Sequence, residues 1–223
     1  VQNLKMEEHQ VLDGNELLVE AFIKRANEFG YRKVTKSDAV RFLVAKNFSL
    51  EKALDLYTQH ELIRRKEDLF DFNPSQEPLL SQIQSQKFQI VPNGDSNSPT
   101  LAIFSASLHN PQKVQKTVTL QALVFQLDAS LRNPTTQKNG LIFIYDMTDS
   151  KYSNFDFELS QKILTLLKGA YPAKLKKVFI VAAPFWFKAS FKVLSLFVRD
   201  KIRERIVTVT ADQLVEHISA TKL

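Results

Sequence analysis

The sequence contains no cysteine, which excludes disulfide bonds, zinc–thiolate sites and thiol nucleophiles. Glycine is also scarce, and the five glycines lie too far apart to form a dinucleotide-binding fingerprint or a phosphate-binding loop. The four histidines are scattered without metal-ligand spacing, and no serine lies in a nucleophile elbow. These absences favour a protein that is not an enzyme, and we expect neither a metal nor a cofactor.

Asp146 and Asp149 form the one carboxylate pair that could have a catalytic role. They follow an apolar stretch that predicts a buried strand, and the sites of α/β proteins often lie where such strands end. No histidine accompanies the pair. Capping of the following turn is therefore the commoner explanation.

No apolar run is long enough to cross a bilayer. The strongly apolar stretch Val178 to Phe187 has ten residues and contains Pro184, whereas a spanning helix needs roughly 20. The first residues lack the apolar core of a secretory signal. We therefore expect a soluble chain, and a cytoplasmic location agrees with the absence of cysteine.

Positive charge is concentrated in one segment. The chain has 30 basic and 24 acidic residues, a net charge of +6, yet Lys168 to Arg205 alone carries +8 and the rest carries −2. Five phenylalanines and the single tryptophan share this segment: Phe179, Phe185, Trp186, Phe187, Phe191 and Phe197. Cations interleaved with aromatics suit an anionic membrane surface, an anionic amphiphile or a nucleic acid. A solvated face over an ordinary core is the alternative.

The chain divides into two predicted parts. Residues 1–75 contain three amphipathic stretches that predict a helical N-terminal lobe, and a linker with Pro74 and Pro78 follows. Residues 76–223 predict a hairpin and then helices that alternate with continuous apolar strands. This alternation is typical of an α/β fold with a mostly parallel sheet and flanking helices.

Residues 185–199 predict an amphipathic helix with an unusual distribution of side chains. At 100° per residue, an apolar stripe (Phe187, Phe191, Leu194 and Val198) runs beside a basic stripe (Lys188, Lys192 and Arg199). Trp186, Leu196 and Phe197 add apolar surface outside the first stripe. This pattern suits a movable lid that covers an apolar cavity and touches a membrane when open. A well-covered core helix with solvated lysines is the other interpretation.

Four motifs resemble the CRAL-TRIO family of lipid-binding proteins. They are Arg41 to Leu54, the central strand Gly140 to Met147, the Tyr-Pro and Ala-Pro segment Tyr171 to Phe187, and the turn Asp200 to Ile206. In particular, they are similar to the lipid-binding module of the MEG-type non-receptor tyrosine phosphatases. The resemblance implies a pocket between sheet and helices that holds one lipid under a gate helix, here residues 185–199. It also implies a bound phospholipid in place of a cofactor, and an associated or fused catalytic domain as a partner.

The resemblance implies roles for two sets of side chains. Arg205 is expected at the lipid head group, followed by Lys201 and Arg203, with Arg64, Arg65 and Lys66 on the opposite wall. The expected pocket and gate residues are Phe143, Tyr145, Phe179, Trp186, Phe187, Phe191, Leu194, Phe197 and Val198, and the expected membrane contacts are Lys188, Lys192 and Arg199. Ala173 stands where phosphatidylinositol-transfer members usually carry Glu. This difference favours a multiply phosphorylated inositide or phosphatidylserine over transfer-type inositol recognition.

The expected function is therefore non-catalytic binding of an anionic phospholipid or phosphoinositide, for membrane targeting, regulation or lipid transfer. The expected location is cytoplasmic and peripheral to vesicles or other intracellular membranes. The alternative is a protein-interaction module on the same fold, whose pocket is filled by its own phenylalanines and whose basic face binds acidic partners. Nucleic acid is not expected as a partner, because the basic residues are few and no recognition motif accompanies them.

Overall fold

The computed structural model describes residues 14–91, 97–197 and 200–220. The predicted helical lobe consists of α1 (Glu16–Glu28), α2 (Lys36–Ala45) and α3 (Leu50–Lys66). Thr35 caps α2 in a capping box with Asp38, as the sequence around it predicts. The lobe has its own aromatic core, in which the Phe22 and Phe42 rings stack 5.9 Å apart.

The second lobe surrounds one five-stranded sheet. Its strands are β1 (Phe88–Val91), β2 (Thr100–Ser105), β3 (Leu141–Asp146), β4 (Leu175–Val181) and β5 (Ile206–Val209). Its helices are α4 (Leu79–Gln84), α5 (Lys116–Ser130), α6 (Pro134–Asn139), α7 (Phe157–Gly169), α8 (Phe187–Ser195), α9 (Asp200–Arg203) and α10 (Ala211–Ala220). The strands follow one another across the sheet in chain order, with β1 antiparallel to β2 and the other neighbours parallel. The predicted hairpin and the α/β fold are confirmed.

The two faces of the sheet bury different side chains because successive residues of a strand point in opposite directions. In β3 and β4, Phe143 and Val178 face the main core, which α5 and α7 cover. Ile144 and Phe179 face the other side, where β5 and residues of α10 pack. Both faces are apolar, so the central strands have the uninterrupted hydrophobic sequence of strands buried on both sides.

The helix predicted over residues 185–199 is shorter in the structure. Its regular part, α8, begins at Phe187, whose N–H donates to Pro184 O at 3.0 Å, and ends at Ser195. Val198 and Arg199 lie outside the described residues. The chain leaves β4 through Ala182, whose φ of 51° lies in the left-handed region, and this sharp change of direction brings α8 back over the core face.

Polar contacts join the two lobes beside Tyr171. Arg64 of α3 forms an ion pair with Asp128 of α5, and the Tyr171 hydroxyl donates to the same carboxylate at 3.0 Å. The buried His60 ring donates from Nδ1 to Ala170 O at 2.7 Å. Burial, aided by the charge of Arg64, holds the pKa of His60 well below its usual value, so the ring is neutral. Over the described ranges, no helix has the length and apolar character needed to span a bilayer.

Candidate functional site

An apolar space lies between the core face of the sheet and α8, and we call it the apolar niche. Its walls come from β3, β4, β5, α7 and α8, and consist of Phe143, Tyr145, Ser160, Ile163, Leu164, Val178, Ile180, Phe187, Phe191, Leu194 and Ile206. Tyr145 and Ser160 supply its hydroxyl groups, and the other lining side chains are hydrocarbon. Burial raises the pKa of Tyr145 to about 12, so the phenol stays neutral. The niche therefore suits the hydrocarbon part of a ligand.

Aromatic side chains close the niche. The Phe187 ring lies 6.2 Å from Tyr145, 5.9 Å from Phe191 and 5.5 Å from Phe155, measured between ring centroids. The remaining volume is about 50 Å³. An apolar cavity of about 150 Å³ is needed to hold even benzene. The niche is thus closed, and it can admit an acyl chain only if α8 moves.

The outer side of α8 and the residues that flank it carry apolar groups and cations. Phe185 is 86% exposed and Leu196 is 74% exposed, large fractions for side chains of this kind. Lys188 lies over the Phe185 ring, 5.3 Å from its centroid, and Lys192 is also exposed. The arrangement resembles that of interfacial helices, which place apolar residues and cations together at a membrane surface.

A second, polar space opens where β4 begins, and we call it the basic cleft. It has a volume of about 400 Å³ and is lined by Ala45, Lys46, Asn47, Leu56, Leu167, Lys168, Gly169, Tyr171, Ala173, Lys174, Leu175, Lys176, Ile202 and Arg205. Five of these side chains are cationic and none is a carboxylate: Lys46, Lys168, Lys174, Lys176 and Arg205. Burial and the neighbouring Lys176 lower the pKa of Lys174, as expected where cations crowd together. An anion placed here would relieve that repulsion.

The cleft and the niche are neighbours along the same strand. Leu175 of β4 lines the basic cleft and Val178 lines the apolar niche. Leu175 and Val178 are three positions apart, which corresponds to about 10 Å along a strand. One amphiphile with a charged head and hydrocarbon chains can therefore span both spaces.

Arg205 lies in the basic cleft, as expected for a head-group residue, and its guanidinium also donates to Leu175 O. The Arg203 side chain does not line the cleft. Its guanidinium donates to Ser195 O, at the end of α8. The Lys201 side chain lies outside the described part of the chain.

The predicted opposite wall requires correction. Arg64 is buried against Asp128 at the lobe junction, Arg65 stacks on Tyr31, and Lys66 lines a separate cavity between α3 and α7. These consecutive residues of α3 point in different directions because each helical residue turns by 100°, and none of the three lines the cleft. The cleft is instead lined by Lys46, at the end of α2, and Lys168, near the end of α7.

Five of the predicted pocket residues line the niche, and three others lie elsewhere. Phe143, Tyr145, Phe187, Phe191 and Leu194 line the niche. Phe179 instead faces the other side of the sheet, where its ring lies 5.3 Å from that of His217. Trp186 and Phe197 flank the niche without lining it: Trp186 packs on Tyr152, and Phe197 packs on Phe157.

Sequence reasoning missed several lining residues. One face of α7 contributes Ser160, Ile163 and Leu164. The sequence predicts this helix but does not show which of its faces lines the niche. Lys168, Lys174 and Lys176 had been counted within the basic segment, so their charge was a usable signal. Lys46 lies within the motif that marked the family, but its place opposite Arg205 depends on the packing of the two lobes. Within the described ranges, no three histidine or carboxylate side chains are grouped to hold a metal ion.

Comparison with known proteins agrees with this geometry. The family model for the CRAL/TRIO domain matches residues 84–223. The human tyrosine-protein phosphatase non-receptor type 9 is 44% identical over 180 residues, which is 81% of this chain and 30% of the phosphatase.

More distant relatives include a protein named for its likeness to a tocopherol transfer protein. The mouse alpha-tocopherol transfer protein-like protein is 26% identical over 185 residues, and rat clavesin-1 is 26% identical over 189 residues. Both matches cover 80% of this chain, and they cover 53% and 52% of the two relatives. The chain thus spans less than a third of the phosphatase and about half of these two proteins.

A solved structure shows the same fold. The crystal structure of Sfh5 superposes with a TM-score of 0.57 at 18% sequence identity, covering 92% of this chain and 81% of Sfh5. Together with the match over residues 84–223, the sheet topology and the covering helix lead to one assignment. The chain belongs to the CRAL-TRIO family of lipid-binding and lipid-transfer domains.

Proposed function

We propose that this chain binds one anionic phospholipid, with its acyl chains in the apolar niche and its head group in the basic cleft. The observation that carries the proposal is the position of a cleft with five cations and no carboxylate about 10 Å along β4 from an apolar niche. Displacement of α8 would enlarge the niche. The head group would meet Arg205 and Lys174 on one side and Lys46 and Lys168 on the other.

The two spaces contribute differently to recognition. Each buried CH₂ group stabilises the complex by about 0.8 kcal/mol relative to water, but a membrane offers nearly the same gain. Hydrocarbon burial therefore permits uptake from a bilayer without selecting the lipid. Selection falls to the charge-assisted hydrogen bonds between the phosphate groups and the cations of the cleft. Phosphoinositides and phosphatidylserine are the proposed ligands, because the crowded cations favour additional negative charge.

Membrane contact is the second part of the proposal. Phe185 and Leu196 would enter the interfacial region of the bilayer, while Lys188, Lys192 and Arg199 would contact anionic lipids. A protein that carries this domain would be peripheral to intracellular membranes. By analogy with the phosphatase relative, an attached catalytic domain would be brought to, or regulated at, that surface.

The proposal is tested by the class of lipid that the protein removes from a vesicle. Vesicles that each contain one fluorescent lipid class are incubated with the protein, and the label that elutes with the protein is measured. We expect up to one label per chain for phosphatidylserine or phosphoinositide and several-fold less for phosphatidylcholine. Equal uptake of all classes would contradict the head-group role, and no uptake of any class would contradict lipid binding.

One observation favours a second candidate function, a protein-interaction module. The niche of about 50 Å³ is filled by the rings that line it, as expected for a domain that holds no lipid. The exposed Phe185 and Leu196 would then bind an apolar patch of a partner protein. This candidate predicts partner binding that lipid does not displace, and no label uptake in the vesicle experiment.

A further inference from the structure

Two cations from different elements hold the end of α8. The Arg203 guanidinium of α9 donates to Ser195 O at 3.0 Å, and Lys168 Nζ, near the end of α7, donates to Phe197 O at 3.5 Å. The last carbonyl groups of a helix lack partners within the helix and carry the negative end of its dipole. Cations at this position therefore stabilise α8 where it lies, in the closed arrangement.

Lys168 also lines the basic cleft. Its ammonium group can thus bond either the Phe197 carbonyl or an anion in the cleft. A phosphate oxygen is the stronger acceptor for an ammonium group, because it carries a net negative charge, whereas a carbonyl oxygen carries only a partial one. The closed position of α8 and an occupied cleft therefore compete for the same side chain.

We infer that Lys168 and Arg203 are positioning residues that hold α8 closed, and that phosphate bound in the cleft weakens this hold by drawing Lys168 away from the Phe197 carbonyl group. The inference rests on the proposed function for the identity of the two spaces. It adds a coupling between them: the charged head group, not the hydrocarbon, starts the opening. The apolar niche would then stay closed in water and beside uncharged membranes.

Trp186 provides a direct measure of the opening. It is the single tryptophan of the chain and precedes α8, with its ring 5.5 Å from Tyr152 and 6.0 Å from Phe155 and Phe187. Displacement of α8 would separate the indole from the Tyr152 and Phe155 rings and expose it to a soluble quencher. Inositol 1,4,5-trisphosphate is a suitable probe, because it carries the phosphate groups without acyl chains.

The experiment measures acrylamide quenching of Trp186 as the trisphosphate is added, with binding followed by calorimetry. In the native chain we expect the quenching constant to rise at least about twofold at saturation, as a minor open state becomes dominant. In the double variant Lys168→Met and Arg203→Met, the quenching constant should be high before any trisphosphate is added. It should not change when the trisphosphate is added. Lys168→Arg should retain the response, and a double variant at the exposed Lys113 and Lys177 (both to Met) should behave as the native chain does.

Two results would overturn this inference without affecting the proposed lipid site. The trisphosphate could bind without changing the quenching of the native chain, or the Lys168 and Arg203 double variant could quench as the native chain does. In either case the proposed lipid site would stand, because its test is label uptake from vesicles. Absence of any trisphosphate binding would overturn the inference and the head-group role together, while label uptake would still decide whether lipid is bound.

Discussion

The apolar niche and the basic cleft lie side by side along β4, yet one is nearly closed and the other is open. The niche retains about 50 Å³ and the cleft about 400 Å³. Aromatic rings can close an empty apolar space, because contact between them recovers the free energy lost by exposing hydrocarbon to water. Lysine and arginine heads cannot do the same, because they repel one another and remain hydrated. The head-group site is therefore formed in advance, whereas the hydrocarbon site must be opened.

The largest expected effect comes from a charge placed in the niche. Phe191→Asp should reduce uptake of labelled lipid by about tenfold or more, because an isolated carboxylate is costly in an apolar site. The matched control is Val193→Asp, which places the same charge on the exposed side of α8. Equal uptake by the two variants, with circular dichroism showing both folded, would remove α8 from the binding site.

Arg64 tests the distinction between the lobe junction and the cleft. Arg64→Leu should lower the free energy of unfolding by about 2 kcal/mol, because Asp128, which also accepts from the Tyr171 hydroxyl, loses its charged partner at a largely buried position. Urea denaturation would measure the change. The control is Arg65→Leu, at a half-exposed position, which should lower the free energy of unfolding by less than about 1 kcal/mol. Binding of the folded Arg64 variant to anionic vesicles should be unchanged. A clear loss of binding would return Arg64 to the head-group site.

Arg205 tests the cleft itself. Arg205→Glu should weaken binding to phosphatidylserine or phosphoinositide vesicles about tenfold, which corresponds to about 1.4 kcal/mol. Lys36→Glu makes the same charge change at an exposed position of α2 that does not line the cleft. Vesicle sedimentation at moderate salt compares the two. An equal loss would mean that diffuse positive charge, not a head-group site, binds the membrane.

The last prediction concerns a buried polar pair behind the niche. His109 is 1% exposed, its Nε2 lies 3.8 Å from Asp156 Oδ2, and burial together with the charge of Lys87 lowers its pKa to about 4. As the pH falls from about 6.5 to 4, the unfolded chain takes up a proton that folded His109 resists. The free energy of unfolding should therefore fall by at most about 1.4 kcal/mol per pH unit from this residue.

His109→Phe should remove that part of the pH dependence. The free energy of unfolding of both proteins would be measured between pH 7 and pH 4, and it should fall less steeply in the variant. His60 contributes equally to the pH dependence of both proteins. Parallel curves would contradict the lowered pKa of His109.

The sequence predicted the order of elements better than the direction of side chains. Strands β3 and β4 were recognisable because their apolar residues are continuous, but the same continuity hides which residues face the niche. Phe179 was therefore placed on the wrong face of the sheet. Arg64, Arg65 and Lys66 were grouped because they are consecutive, whereas the turn of the helix sends them to three different places.

The cleft could be predicted only in part. Arg205 was identified from the family motif, and Lys168, Lys174 and Lys176 lie in a segment whose positive charge is evident. Lys46 comes from the other lobe, more than 150 positions earlier than Arg205. Contacts of this range depend on how two lobes pack, which short motifs do not encode. The closure of the niche is likewise a property of packed rings and not of their composition.

Native mass spectrometry of the protein after incubation with mixed vesicles tests the central claim most directly, because it identifies a bound lipid by its mass. The account predicts a complex of one chain with one anionic phospholipid, which is lost in Phe191→Asp and reduced in Arg205→Glu. A chain that keeps its bare mass after exposure to every lipid class would contradict it, and would leave the fold with a niche that is permanently filled by its own side chains.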